Sequence, residues 1–466
     1  MVNRTAGAVF LEERDSVSVW SIAVIGGGAA GLAAAWRLGA RGAGVVLYEK
    51  RSVVGGLMRS DELEGVTVDP AVQLLSSTYR SMHRLVSEVG ATGLLVRTAG
   101  RDALWRGGGA HTISWGSVPR MAVSSALSAG LKLRLATQYL PFLLTQSRGL
   151  DANNAAGTGG ADRDDEPIGS WGRRELGEDF VEHVAYPFLV AHHSGTPERT
   201  SAWFYHAVAR AGLDVRFEAV RGGVGRLAEA VASGVERGGG RIRRGFEVTD
   251  VRAVSGGVEV EGSGEVAVHD GAIVALPPQT VSGLSVAGGA LREWLGRVES
   301  AITLTLAVVT GRPVRTNWFG LAFPRTESPG DRLAGVWVAS SKADGLVPAD
   351  RGLLIVKPAP SRAAELAAAP ETAPAVLLPA LEEALPGSTR RVEAVKAYRH
   401  LEGHTQFGAG YLRHLLRYDP GWLPDRVALA GDYLVAPTVE GAVISGERAA
   451  ERLLQRMSAK ADSARG

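Results

Sequence analysis

The stretch Ser21 to Leu38, SIAVIGGGAAGLAAAWRL, constrains this chain more than any other. Gly26, Gly28 and Gly31 give a G-x-G-x-x-G spacing directly after an apolar, β-rich run and directly before an Ala-rich helix. A second strand reads from Val45 to Tyr48, and Glu49 closes it. Gly26 lets the chain turn tightly, Gly28 lets backbone approach a pyrophosphate, and Gly31 lets helix pack closely on strand. The helix N-terminus offers free N–H groups and partial positive charge to phosphates, and a strand-end acid accepts ribose hydroxyls. Strand, turn, helix and acid in register predict a bound dinucleotide.

The rest of the composition sets limits. A length of 466 residues suits two or three domains, and 45% hydrophobic with 21% charged residues suits a globular protein with a large core. A net charge of +2, with no basic block interleaved with aromatics, gives no support to nucleic-acid binding. There is no cysteine, which removes disulfides, thiolate metal sites, dithiol chemistry and a cysteine-tethered prosthetic group. Many Arg and Ala, few Lys and 60 Gly suggest a GC-rich bacterial source. Met1 to Val19 is charged and lacks an apolar core, so no signal peptide is expected. Met121 to Thr145 is the most lipid-like stretch, but Lys132, Arg134 and Gln138 interrupt it. It is too broken to span a bilayer and reads as a helix with one buried stripe, with peripheral membrane contact left open. A cytoplasmic location is expected.

Along the chain, residues 1–18 read as a tail and 19–80 as the first part of the nucleotide domain. Residues 81–215 read as mostly helical, with segments at Ser81–Val89, Ala122–Gln146 and Trp171–Pro187. The polar, Gly-rich run Asp151 to Pro167 reads as a surface loop. Strands return at 216–285, the second part of the nucleotide domain. A substrate-domain sheet is expected at 286–420, a closing strand and helix at 421–457, and a tail at 458–466. The fold class is therefore α/β, a Rossmann-like domain assembled from discontinuous segments beside an α+β substrate domain with a helical insert.

That interrupted order resembles the FAD-dependent amine oxidase, protoporphyrinogen oxidase and phytoene desaturase superfamily over roughly Ser21 to Met457. Glu49-Lys50-Arg51-Ser52-Val53-Val54-Gly55-Gly56-Leu57-Met58-Arg59 looks like the family's acid, Gly-Gly pair and basic residue. After the acid the backbone must pass close to the pyrophosphate, where glycine fits, and Arg59 would add a cation there. Gly222-Gly223-Val224-Gly225-Arg226-Leu227 and the following Gly245 to Val251 are similar to the segment that returns to the FAD domain, with Val248 matching the valine beside the adenine. Val427 to Asp432 and Val439 to Gly446 look like the closing flavin motif. The resemblance implies non-covalent FAD, held by Gly26, Gly28, Ala29, Ala30, Gly31, Glu49, Lys50, Gly55, Gly56, Leu57, Arg59, Val248, Gly431, Asp432, Glu440, Gly441 and Ala442. In it Asp432 binds the ribityl or phosphate side, and a helix opening at Gly441 aims N–H groups at the flavin N1–C2=O edge, favouring reduction.

Ser170 to Gly177, Tyr186-Pro187-Phe188 to Glu198, and Arg297 to Pro313 after Ala275-Leu276-Pro277-Pro278 resemble the protoporphyrinogen-oxidase-like branch. His404-Thr405-Gln406-Phe407-Gly408-Ala409-Gly410 stands where that branch carries a Pro-Gln-Tyr motif. Ser300 to Leu306 lacks the Lys that amine oxidases usually place there, whereas Gly-Asp at 431–432 is nearer the desaturase and amine oxidase pattern. Arg101 lies close to where porphyrinogen oxidases place an Arg that pairs with a substrate propionate, and the resemblance implies a carboxylate contact there. His192-His193 lacks a third metal ligand, reads as loop histidines, and no metal is expected. No G-x-S-x-G elbow supports hydrolysis. The resemblance implies two-electron dehydrogenation of a small organic substrate by hydride transfer to flavin N5, with oxygen or a quinone as acceptor. The alternatives are a desaturase or isomerase acting on a polyene, an amine oxidase, and a flavin-bound scaffold. Oligomeric state is not legible.

Overall fold

The computed structural model describes residues 20–98, 101–115, 117–146, 149–157, 160 and 164–463. The expected N-terminal tail, and 464–466 of the expected C-terminal one, lie outside the described residues.

Ser21–Ile25 is a short apolar run, and it becomes the central strand of a five-stranded parallel sheet. Across the sheet stand Arg241–Arg244, Gly44–Glu49, Ser21–Ile25, Gly271–Val274 and Val427–Leu429. Numbered by chain position this is the order 3-2-1-4-5, the doubly wound arrangement of dinucleotide-binding domains. Parallel strands must be covered on both faces, and the alternation of side chains shows how. Ile22 and Val24 join a core with Leu32, Ala33, Leu227 and Leu453 from the helices. Ala23 and Ile25 join a second core with Phe246, Val251 and Val260. The latter three border or belong to an antiparallel meander, Val248–Val254, Gly257–Gly262 and Glu265–His269.

On the helical face, Ala29–Ala40 lies against the last helix, Val439–Ser463. The approach is set by Gly446, where a Cβ would lie 2.0 Å from the Ala30 carbonyl oxygen. That helix runs through Ser463, so the segment read as a tail from 458 is helical up to that residue.

The second half is built on a seven-stranded sheet, ordered Val392–Thr405, Ser300–Thr310, Gly352–Pro358, Leu333–Val338, Gly320–Ala322, Asp102–Arg106 and Gly109–Ile113. Its last two strands form a hairpin inside the region read as mostly helical. Gly107 (φ 56°) and Gly108 (φ 79°) supply the left-handed turn that a two-residue hairpin requires. Helices cover the remaining side. The run expected at Ala122–Gln146 is instead Val118–Val123, a break at the extended Ser124, and a helical stretch from Ala129 to Thr145 with π geometry at Leu135–Tyr139. The run expected at Trp171–Pro187 is split at Gly177 (φ 84°) into Ile168–Glu175 and a helical path from Glu178 to His193. No helix among the described residues is long and apolar enough to cross a membrane.

Part of the expected loop 151–167 is ordered into the fold; its residues 158–159 and 161–163 lie outside the described ones. Asp164 is buried, accepts hydrogen bonds from Ser201 Oγ and from the Leu412 N–H (2.6 Å), and ties the helical region to the start of Tyr411–Leu416.

Candidate functional site

The three glycines of the first turn do different work. Gly26 has φ 102°, donates its N–H to Tyr48 O at 2.8 Å, and a Cβ there would meet Ala275 O at 2.4 Å. A Cβ on Gly31 would lie 1.9 Å from Gly26 O, so helix and turn touch at that point. Gly28 differs: a Cβ would meet nothing within 4 Å. Its missing side chain therefore opens onto free space in front of the Ala29–Ala40 N-terminus, which has no side-chain cap and no acid in its first turn. A cradle emptied at one glycine while the two flanking glycines are packed against backbone fits a pyrophosphate.

Glu49 is 5% exposed; its carboxylate accepts from Gly27 N (2.8 Å) and Arg51 N (2.9 Å). Each oxygen keeps lone-pair capacity for a ribose hydroxyl. Gly55 and Gly56, with φ 111° and 58°, bring the following loop back onto the turn, where Gly55 N donates to Gly27 O at 2.7 Å. A Cβ on Gly56 would stand 3.2 Å from Gly28 Cα, so the loop closes over the same cradle. Arg59 is half-buried, donates to Gly56 O at 3.2 Å, and makes no ion pair among the described residues. Burial, then repulsion from Arg51, holds its pKa below the usual value, as for a cation lacking an anionic partner. Ala30 is buried in the first helix and Leu57 is half-buried, whereas Lys50 is exposed. Val248 stands two residues after Phe246, whose N–H donates to Glu49 O at 2.9 Å, and is half-buried at the start of the meander.

The closing motif reaches the same region from the far end of the chain. Gly431 N donates to Ser445 Oγ at 3.0 Å, and Asp432 accepts from Thr405 Oγ1 at 3.0 Å. Burial pushes the Asp432 carboxyl up to about 6, with the Thr405 bond opposing the shift. The last helix begins at Val439, two residues before the expected opening at Gly441. Thr438 Oγ1 caps it by accepting from Gly441 N at 2.9 Å, so the Gly441 N–H is already engaged, and Ala442 N donates to Thr438 O. The N–H groups of Val439 and Glu440 have no acceptor among the described residues and are the free donors of this terminus. Gly441 answers to packing: its Cβ would lie 2.1 Å from Ala436 O. Glu440 is also redirected. Its carboxylate, 2% exposed, accepts from Ser81 N (2.8 Å) and Met82 N (2.9 Å) and caps the helix Arg80–Glu88, away from the cradle.

From Leu57, Thr438 and Val439 a cavity of about 340 Å³ runs into the second half of the molecule. Trp115, Tyr139, Phe188, Tyr205 and Trp337 are among its aromatic walls. Its polar members include Lys132, His192, His193, Lys357 and His404, and no Asp or Glu among the described residues lines it. His192 and His193 end a helical segment, where Ser194 turns with φ 55°, so these two are cavity walls where loop positions were expected. Arg101 is exposed, pairs its carbonyl with Phe319 N, and lies outside the cavity lining. Sequence reasoning passed over Lys357. Its signal was a single charge ending the apolar run Leu353-Leu354-Ile355-Val356.

The interrupted 3-2-1-4-5 sheet, its glycine turn and the largely apolar cavity beside Leu57 and Val439 agree with an FAD-dependent oxidoreductase, the class that the family match shows. The chain belongs to the family described as flavin containing amine oxidoreductase, whose pattern matches residues 29–454. It is 24% identical over 198 residues to protoporphyrinogen oxidase 2, chloroplastic/mitochondrial, of Arabidopsis thaliana, covering 42% of this chain and 37% of that one. It is 26% identical over 268 residues to AofH of Mycobacterium tuberculosis, provisionally named a flavin-containing monoamine oxidase, covering 55% of this chain and 57% of that one. Those alignments thus span less than two thirds of either relative. Among solved structures, a protein of Exiguobacterium sp. 255-15 provisionally named a protoporphyrinogen oxidase superposes with a TM-score of 0.73 at 19% identity, over 95% of this chain and 100% of that one.

Proposed function

We propose that this chain dehydrogenates an organic substrate with an apolar, aromatic-compatible body, in the manner of the protoporphyrinogen-oxidase-like branch. The observation that carries this reading is the cavity of about 340 Å³, which starts at Leu57, Thr438 and Val439 and includes Trp115, Tyr139, Phe188, Tyr205 and Trp337 among its walls. FAD bound in the cradle would supply the two-electron acceptor, taking hydride from a substrate C–H and passing electrons on to oxygen or a quinone. The chain's own contribution is position and field. The Gly26–Gly31 turn and Arg59 would hold the pyrophosphate, Glu49 the ribose, and Asp432 the ribityl side. The free N–H groups of Val439 and Glu440 would favour negative charge developing at the N1–C2=O edge. Trp115, Tyr139, Phe188 and Tyr205 exclude water and orient the substrate.

A protonated aliphatic amine finds no acidic partner along this lining, which supports the branch reading over amine oxidation. The test is anaerobic mixing of the purified yellow protein with protoporphyrinogen, an apolar polyene and an aliphatic amine, each followed at the flavin absorbance band. Bleaching by protoporphyrinogen at a rate above the other two is expected. Bleaching by the amine alone would reverse the assignment.

A further inference from the structure

The cavity contains a cation with nothing to neutralise it. Lys357 projects from the strand Gly352–Pro358, and its Nζ donates to Ser194 Oγ at 2.7 Å and to Ala191 O at 3.3 Å. An ammonium has three protons, so one donor remains for the space it lines. No carboxylate among the described residues lies within ion-pair distance. The titratable groups that face it are imidazoles: His193 and His192 from the segment Leu189–His193, and His404 from Val392–Thr405. Burial holds all three histidines low, at about 4 for His193 and about 3 for the other two. They are neutral near pH 7 and do not compete with Lys357 for an anion. His193 Nδ1 is shielded from the cavity space and has no hydrogen-bond partner among the described residues, so the ligand-facing donor here is Lys357. Burial also lowers Lys357 to about 7.

The chain's usage sharpens the point. It prefers Arg to Lys throughout, and Lys appears at six positions, of which two line this one cavity. A guanidinium stays charged in any protein site, while a lysine can shed its proton when the cavity is empty and recover it when an anion arrives. A half-buried cation with no acid beside it among the described residues, inside an aromatic-walled cavity, has a favourable complement in a ligand with an apolar body and an anionic end.

We infer that Lys357 recognises a carboxylate on the substrate and makes this an acid-selective cavity. This rests on the flavoenzyme reading above, because it places the substrate in that same cavity. It also moves carboxylate recognition from Arg101, expected from the sequence, to the opposite kind of position: an interior strand.

The test uses the holoprotein and three probes of one skeleton, phenylbutyrate, phenylbutanol and phenylbutylamine, measured by calorimetry and by perturbation of the flavin spectrum. At pH 6 the carboxylate should bind about tenfold or more tightly than the alcohol, and the amine most weakly, as a charge-assisted hydrogen bond allows. As pH rises, carboxylate affinity should start to fall near 7, where the free lysine loses its proton, and level off at the higher pKa that the bound anion imposes. Alcohol affinity should stay flat. Lys357→Met, which replaces a half-buried cation by an apolar side chain of similar length and so does not threaten the fold, should abolish both the preference and its pH dependence. Equal binding of carboxylate and alcohol, a preference for the amine, no binding of any probe, or a carboxylate preference surviving in Lys357→Met would each overturn the inference. Flavin content and anaerobic reducibility of the same preparation are recorded alongside. A protein that holds reducible flavin but fails the probe series loses only this inference, whereas one without flavin loses the function itself.

Discussion

At the scale of single residues, Gly28 and Gly31 look alike in a motif and are opposites in space. A methyl group on Gly28 enters open room, and a methyl group on Gly31 runs into Gly26 O. Gly28→Ala should therefore leave thermal stability of the apoprotein within about 0.5 kcal/mol while weakening FAD binding. Gly31→Ala should cost about 1–3 kcal/mol of stability whether or not FAD is added, as overpacking does. Paired melting curves with and without FAD check this; equal behaviour of the two variants would refute the cradle. Asp432 gives a pH-dependent case. Its folded pKa, about 6, lies above the usual 3.8, so the folded state holds a proton that the unfolded state releases. Its contribution is therefore fullest below about pH 4 and is lost as pH rises through 6. Asp432→Asn should raise the melting temperature of the apoprotein at pH 7, with the gap narrowing toward pH 5, and should weaken FAD binding. A variant that melts lower than the parent at pH 7 would contradict the cause assigned to the shift.

At the scale of elements, the helix Arg80–Glu88 has no acid in its first turn and no side-chain cap of its own. Glu440 supplies that cap from 358 residues away at Met82 and 359 at Ser81. Glu440→Ala should cost about 1–3 kcal/mol, the penalty of leaving buried donors unsatisfied. Flavin content per folded molecule should be unchanged, and absorbance ratios of purified protein would show it. This role was hidden in the sequence because a glutamate beside a flavin motif carries no sign of which way it turns. The Gly107-Gly108 hairpin was more accessible, since a glycine pair between alternating residues is a turn signal. It was passed over because the helical pattern on either side dominated the reading. The breaks at Ser124 and Gly177 escaped for a related reason: periodicity reports which face is apolar and stays silent on where a helix changes pitch.

At the scale of the molecule, the nucleotide half was legible because its constraints are local. Strand, glycine turn, helix and acid fall within 29 residues, from Ser21 to Glu49, and each leaves a mark on composition. The substrate half was not, because Lys357, His193 and His404 meet only through a seven-stranded sheet and a helix end that lie far apart in the chain. The same geometry has a consequence for cofactor loading. If one molecule of FAD holds Gly26–Gly31, Gly55–Arg59 and Gly431–Glu440 together, all three should gain amide-exchange protection at the same FAD concentration, and stability should rise by about 4 kcal/mol at a thousandfold excess over Kd. Protection that appears at the first segment at lower FAD than at the third would mean separate sites.

The edge strand Val427–Leu429 pairs with Gly271–Val274, made about 155 residues earlier, and the helix that follows it packs on Ala29–Ala40, made about 400 residues earlier. On the ribosome, the two early segments must therefore wait beside an unpaired sheet edge until the C-terminal segment emerges. Flavin capture then becomes the event that ends a vulnerable interval of synthesis, and chains cut before that strand should be colourless and short-lived.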